Sequence, residues 1–140
     1  MLAIIGGTGL YQIDGLKVQE EVVVSTPFGE PSSPVVKATY SEHELLFIPR
    51  HGQHHQFLPH EVNYRANIFA LKKLGAKQLL GFSAVGSLCE DIHPGEFAIA
   101  DQYFDFVKGN RICTFFGGGV AAHVSTAQSV CPNLTAWVAA

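Results

Sequence analysis

Leu2, Ala3, Ile4 and Ile5 form a short apolar run that stops at Gly6-Gly7-Thr8-Gly9. Four apolar residues followed at once by glycines predict a buried strand leading into a tight turn. Residues 18–24 are rich in β-branched side chains and predict a second strand, broken by Thr26-Pro27-Phe28-Gly29 and Pro31-Ser32-Ser33-Pro34. Residues 35–40 and 44–48 flank the polar Ser41-Glu42-His43 and predict a hairpin, closed by Pro49-Arg50-His51-Gly52. After a polar, histidine-rich loop, residues 60–74 change period. Val62, Ala66, Ile68 and Phe69 recur at helical spacing, Lys72 and Lys73 sit in the last turn, and Gly75 is a stop. Residues 78–82 predict a strand that runs into Ser83-Ala84-Val85-Gly86-Ser87, and residues 97–104 predict another after the Pro94-Gly95 turn. Residues 107–122 are glycine-rich and expected to be loop, and Pro132 opens a last helix over 133–140. That helix has no stop signal, so the polypeptide is expected to be truncated at its C-terminus relative to its functional length. The alternation predicts an α/β fold with a mixed central β-sheet flanked by helices.

Composition sharpens this picture. Hydrophobic residues make up 47% and charged residues 15% of the 140 residues, so much of the chain is expected to be buried, in its own core or against partners. No apolar run reaches the ~20 residues of a membrane span, and the first five residues are too short for a secretory signal. A net charge of −3 without a basic run argues against nucleic acid as a partner. Cys89, Cys113 and Cys131 show no CxxC pairing. An odd, widely spaced set predicts reduced, buried thiols and a cytoplasmic location. His51, His54, His55 and His60 match no zinc spacing and have no accompanying cysteine or carboxylate set, so neither a metal nor another cofactor is expected.

Chemistry gathers at the ends of the expected strands. In Gly6-Gly7-Thr8-Gly9, glycines allow backbone N–H groups to converge on an anion, and Thr8 adds a hydroxyl donor. In Arg50-His51-Gly52, the guanidinium offers a planar fork that matches two phosphate oxygens, and the imidazole can donate to the same anion. Ser83-Ala84-Val85-Gly86-Ser87 supplies another hydroxyl in a turn of small residues. Each segment alone is ordinary: a tight strand exit, a surface cation, a packing turn. Their joint occurrence at strand ends, where α/β sheets hold ligands, points to one oxyanion pocket. The glycine turn fails the dinucleotide fingerprint because Gln12 stands at the third glycine position, and it lacks the Gly-Lys-Ser/Thr of a P-loop. Free phosphate fits it better than a nucleotide tail.

Taken in order, these segments resemble the nucleoside phosphorylases of the trimeric class, in particular the methylthioadenosine phosphorylase branch. The resemblance runs through Ile4-Ile5-Gly6-Gly7-Thr8-Gly9-Leu10, Thr26-Pro27-Phe28-Gly29-Glu30-Pro31-Ser32 and Arg50-His51-Gly52. It continues through Pro59-His60-Glu61-Val62-Asn63-Tyr64-Arg65-Ala66-Asn67-Ile68-Phe69-Ala70-Leu71-Lys72, Ser83-Ala84-Val85-Gly86-Ser87-Leu88 and Asp101-Gln102-Tyr103-Phe104-Asp105, and closes with Thr114-Phe115-Phe116-Gly117 and Ala122-His123-Val124. It implies that residues 1–140 are the N-terminal part of a single nucleoside phosphorylase domain. It implies phosphorolysis of 5′-methylthioadenosine to adenine and 5-methylthioribose 1-phosphate, with phosphate held by Thr8, Arg50, His51, Ser83 and Ala84. Ala84 would also lie near the nucleoside, and His123 would reach the 5′-alkylthio pocket of a neighbouring subunit, which implies a homotrimer. Phe106-Val107 stand where relatives often carry an arginine-threonine pair, and residues 125–129 lack an acidic residue expected there. Family members are about twice this long, and the second half carries the purine-holding aspartates. Near alternatives are other purine nucleosides or methylthioinosine as substrate, a catalytically inactive anion-binding module, and a hydrolase using water.

Overall fold

The computed structural model describes the chain except Thr8, Leu10, Tyr11, Gln12, Lys108, Asn110 and Cys113. It divides into two units, Met1–Ser83 and Ala84–Ala140.

The first unit is built on strands β1 (Leu2–Gly6), β2 (Lys17–Val22), β3 (Val35–Tyr40), β4 (His43–Pro49) and β5 (Gln78–Gly81), with helix α1 (Tyr64–Lys73) between β4 and β5. They form one mixed sheet of order β2-β3-β4-β1-β5. β2, β3 and β4 are antiparallel neighbours, whereas β1 lies between β4 and β5 and is parallel to both. Parallel neighbours need a long return connection: from β1 to β4 it runs through β2 and β3, and α1 lies on the crossover from β4 to β5.

Side chains alternate across the sheet. Ala3, Ile5, Val35, Leu46 and Ile48 cluster with Ala70 and Leu71 of α1. Val36, Ala38 and Phe47 make a second cluster with Ile4, Leu16 and Leu45. Each fully buried Leu, Ile or Val contributes roughly 1.5–3 kcal/mol. With both faces apolar, β1 and β4 read as near-continuous hydrophobic runs, which is why they stand out in the sequence.

Turn chemistry sets the boundaries. The hairpin turn is only Ser41-Glu42, with φ of 45° and 69°, and His43 is already in the ladder opposite Tyr40. Positive φ at both central residues suits the right-handed twist of the flanking strands. The helix expected from residue 60 starts at Tyr64, because Asn63 is the N-cap and accepts from the Ala66 N–H at 3.1 Å. Residues 58–61 instead form a turn, in which the Glu61 N–H donates to the Leu58 carbonyl at 2.9 Å and the Glu61 carboxylate accepts from the Leu58 N–H at 2.8 Å.

At the other end of α1, Gly75 N–H donates to Lys72 O and Ala76 N–H to Leu71 O, both at 3.0 Å, with Gly75 at φ +95°. This is the Schellman pairing that a left-handed residue makes possible. A Cβ on Gly75 would meet nothing within 4 Å, so Gly75→Ala has only a backbone cost. We expect about 1 kcal/mol of destabilisation, read as a lower urea midpoint at unchanged slope.

The second unit differs from expectation. Helix α2 (Pro132–Ala139) forms near the expected position. Residues 97–104, expected as a strand, make no ladder among the described residues and are exposed. The run Phe97, Ala98, Ile99, Ala100 has the composition of an inner strand. Such a strand needs neighbours for its backbone N–H and C=O groups, and among the described residues of its own unit no strand pairs with it. The same lack of a local core overturns the expectation for the thiols: Cys89 and Cys131 are exposed, and Cys113 lies outside the described residues. No described residue of this unit is buried, so the burial expected from composition is confined to the first unit. Among the described residues no helix is long and apolar enough to cross a membrane.

Candidate anion-binding site at the strand ends

Because β1, β4 and β5 run in the same direction, their C-terminal ends lie at one edge of the sheet. Gly6 is opposite Pro49, and Ile5 is opposite Gly81. The next residues of all three strands are therefore neighbours: Gly7, Arg50 and Phe82. Hydrogen bonds extend the ladder past the strands. Arg50 N–H donates to Gly6 O at 3.0 Å, and Phe82 N–H donates to Ile5 O at 2.8 Å.

The Arg50 side chain spans this edge. Its Nη1 donates to the Phe82 carbonyl at 2.6 Å, which holds the guanidinium beside the exit of β5 immediately before Ser83. One of the five N–H donors of Arg50 is used on Phe82, and no described carboxylate forms an ion pair with it. A planar cation fixed at a meeting of strand ends is suited to a tetrahedral anion.

His51 is buried, and its backbone and ring are both tied to Phe57. Phe57 N–H donates to His51 O at 3.1 Å, and His51 Nδ1 pairs with Phe57 O at 2.9 Å. A carbonyl can only accept, so Nδ1 carries the hydrogen, and in the neutral ring Nε2 is the acceptor. His51 therefore donates to an anion through Nε2 only as imidazolium. Gly52, at φ +80°, turns the chain, and a Cβ there would collide with the Gln56 carboxamide. Gln53 Nε2 donates to both carboxylate oxygens of Glu21 at 3.0 and 3.1 Å, tying the loop near the end of β2.

Of the expected site residues, Arg50, His51 and Ser83 belong to the first unit, and the structure brings Arg50 to the chain immediately before Ser83. Ser83 is exposed. Thr8 lies outside the described residues. Ala84 opens the second unit and His123 lies within it, both exposed. Three partners escaped sequence reasoning: the carbonyls of Phe82 and Phe57, and Glu21. Carbonyl roles leave no side-chain signal, and Glu21 meets Gln53 only through sheet order. An apolar groove of about 260 Å³, lined by Ile4, Ile13, Leu16, Tyr40, Leu45 and Phe47, lies on a sheet face and offers nothing to an anion. Among the described residues no group of three or more His, Cys, Asp or Glu could hold a metal ion.

Comparison with known proteins places this geometry in context. The sequence matches the phosphorylase superfamily over residues 1–140. It is 52% identical over 133 residues to the S-methyl-5′-thioadenosine phosphorylase of Thermofilum pendens, covering 95% of this chain and 50% of that protein. It is 47% identical over 136 residues to the enzyme of the same name from Geobacter sulfurreducens, covering 97% of this chain and 48% of that one. Among solved structures, a methylthioadenosine phosphorylase from an antarctic soil metagenomic library superposes with a TM-score of 0.90 at 47% identity, over 96% of this chain and 47% of that one. The methylthioadenosine phosphorylase of Schistosoma mansoni in complex with adenine gives 0.85 at 38% identity, over 94% and 49%. The chain spans about half the length of the curated relatives it matches.

Proposed function

Since this chain belongs to the phosphorylase superfamily, we propose that it carries the phosphate-binding part of an enzyme that cleaves 5′-methylthioadenosine with inorganic phosphate. The products are adenine and 5-methylthioribose 1-phosphate. In this reading residues 1–140 are the N-terminal part of one phosphorylase domain, and the enzyme is a pentosyltransferase of purine and methionine salvage, working in the cytoplasm without a cofactor. The observation that carries it is the Arg50 guanidinium, bonded to Phe82 O at the edge where β1, β4 and β5 end. The substrate is supported by relatives of that name at 47–52% identity.

Phosphate is bound by Thr8, Arg50, His51, Ser83 and Ala84. A phosphate oxygen forms the new bond to the anomeric carbon as the carbon–nitrogen bond to the purine breaks. The electron pair of that bond leaves with the base, which takes up a proton. The sugar carbon is cationic in between, and a fixed phosphate lowers the barrier by proximity and charge. Groups that hold and protonate the purine belong to the part of the relatives' length beyond the region matched here. Ala84 lies near the nucleoside, and His123 reaches a neighbouring subunit's 5′-alkylthio pocket in a homotrimer. Association with another subunit is supported by Phe97, Phe104 and Phe106, which present most of their surface to water in the unit Ala84–Ala140.

Incubating the full-length native protein with methylthioadenosine, with and without phosphate, tests the reading. Adenine release that requires phosphate is the expected result. Release without phosphate would make the protein a hydrolase, and no release from folded protein would make it a non-catalytic anion binder. The 140-residue chain alone is expected to show little or no turnover.

A further inference from the structure

The loop after Arg50 folds back on itself through three backbone hydrogen bonds. Gly52 N–H donates to Pro49 O at 3.0 Å, His55 N–H to Gly52 O at 3.3 Å, and Phe57 N–H to His51 O at 3.1 Å. Inside this fold-back His55 has φ +55°, a left-handed conformation that few residues with a Cβ adopt. Asparagine and histidine tolerate it better than aliphatic residues do. The conformation has a geometric result. The His55 ring is stacked on the His51 ring, with centroids 4.7 Å apart and planes 29° apart. His51 is buried, whereas His55 is exposed and forms the outer layer of the stack.

A ring held by one hydrogen bond can still swing about it. The Nδ1–Phe57 O bond fixes one point of the His51 imidazole, and a stacked plane fixes its tilt. Together the two contacts restrain the ring at its edge and at its face. We propose that His55 is a positioning residue, whose stacked ring holds the His51 imidazole in the orientation used at the phosphate site. This inference rests on the reading above that His51 contacts phosphate. His55 acts only through His51 and touches neither phosphate nor nucleoside.

The test uses the full-length native protein and steady-state kinetics with each substrate varied in turn. His55→Asn keeps a residue suited to the left-handed backbone and removes the ring. Its KM for phosphate should rise roughly 3- to 10-fold, the size expected from losing one aromatic pair, with the nucleoside KM unmoved. His55→Phe restores a ring and should return the phosphate KM to within about twofold of the native value. In a His51→Ala background, His55→Asn should add nothing further. An unchanged phosphate KM in His55→Asn, or a full additional loss in the His51→Ala background, would overturn the proposal. His51→Ala alone keeps the two readings apart. If it weakens phosphate while His55→Asn does not, the positioning role fails and the site stands; if His51→Ala leaves phosphate KM unchanged, the site assignment itself fails.

Discussion

Replacing Arg50 with alanine is expected to raise the phosphate KM about 100- to 1000-fold and to leave the nucleoside KM within a few-fold of native. That is the effect of deleting a fixed donor to an anion in a site built for charge. The guanidinium is anchored through Nη1 to Phe82 O at 2.6 Å, so its orientation is set before any anion binds. Arg50→Lys retains the charge but not the fork, and recovers only part of the loss. The structural consequence of Arg50→Ala is small, since Phe82 is exposed and water can take the place of Nη1 at its carbonyl. The β4–β1 contact survives, because the Arg50 bond to Gly6 O comes from the backbone. Urea unfolding should thus move by less than about 1 kcal/mol while phosphate affinity collapses. Equal phosphate KM in the two proteins would remove Arg50 from the site.

How far the sequence foretells this arrangement depends on the kind of interaction. Strands β1 and β4 are legible because both their faces are apolar, one buried and one partly so, and Leu2 to Ile5 and Leu45 to Ile48 carry the signal alone. The mixed α/β sheet followed from the alternation of such runs with α1. Sheet order did not follow: nothing local in Ile4 says that it pairs with Phe47 on one side and Leu80 on the other. That order is what brings the chain after Gly6, Pro49 and Gly81 to one edge. The candidate site is thus half legible. Arg50 and His51 announce themselves by residue type, but their partners at Phe82 and Phe57 are backbone carbonyls. Residues 97–104 show the opposite failure. Their composition is that of an inner strand, yet composition records what a segment can bury and not whether its neighbours are at hand.

Asn67→Ala is expected to reverse the pattern of Arg50→Ala, costing stability of about 3 kcal/mol with the phosphate KM of the folded protein unchanged. Asn67 lies on the buried side of α1 with none of its surface exposed, and Ser32 is nearly as enclosed. The two form a closed pair across 35 positions: Ser32 N–H donates to Asn67 Oδ1 at 2.8 Å, and Asn67 Nδ2 donates to Ser32 Oγ at 2.9 Å. The neighbouring Asn63 Nδ2 donates to Phe28 O at 2.7 Å, so the connector between β2 and β3 is fastened to α1 at two levels. Truncation at Asn67 removes both bonds of the lower pair. It leaves a buried backbone N–H and a buried hydroxyl without their partner, each costing roughly 1–3 kcal/mol. Ser32→Ala is the milder control. It keeps the backbone N–H bond and takes from Asn67 Nδ2 its one acceptor on Ser32, a single buried loss in place of two, so about 1–2 kcal/mol is expected. Denaturant midpoints for the two variants measure the difference. An Asn67→Ala midpoint equal to that of Ser32→Ala would mean that water reaches the Ser32 N–H, and the pair would then be an ordinary surface contact rather than the fastening that holds this connector against the helix.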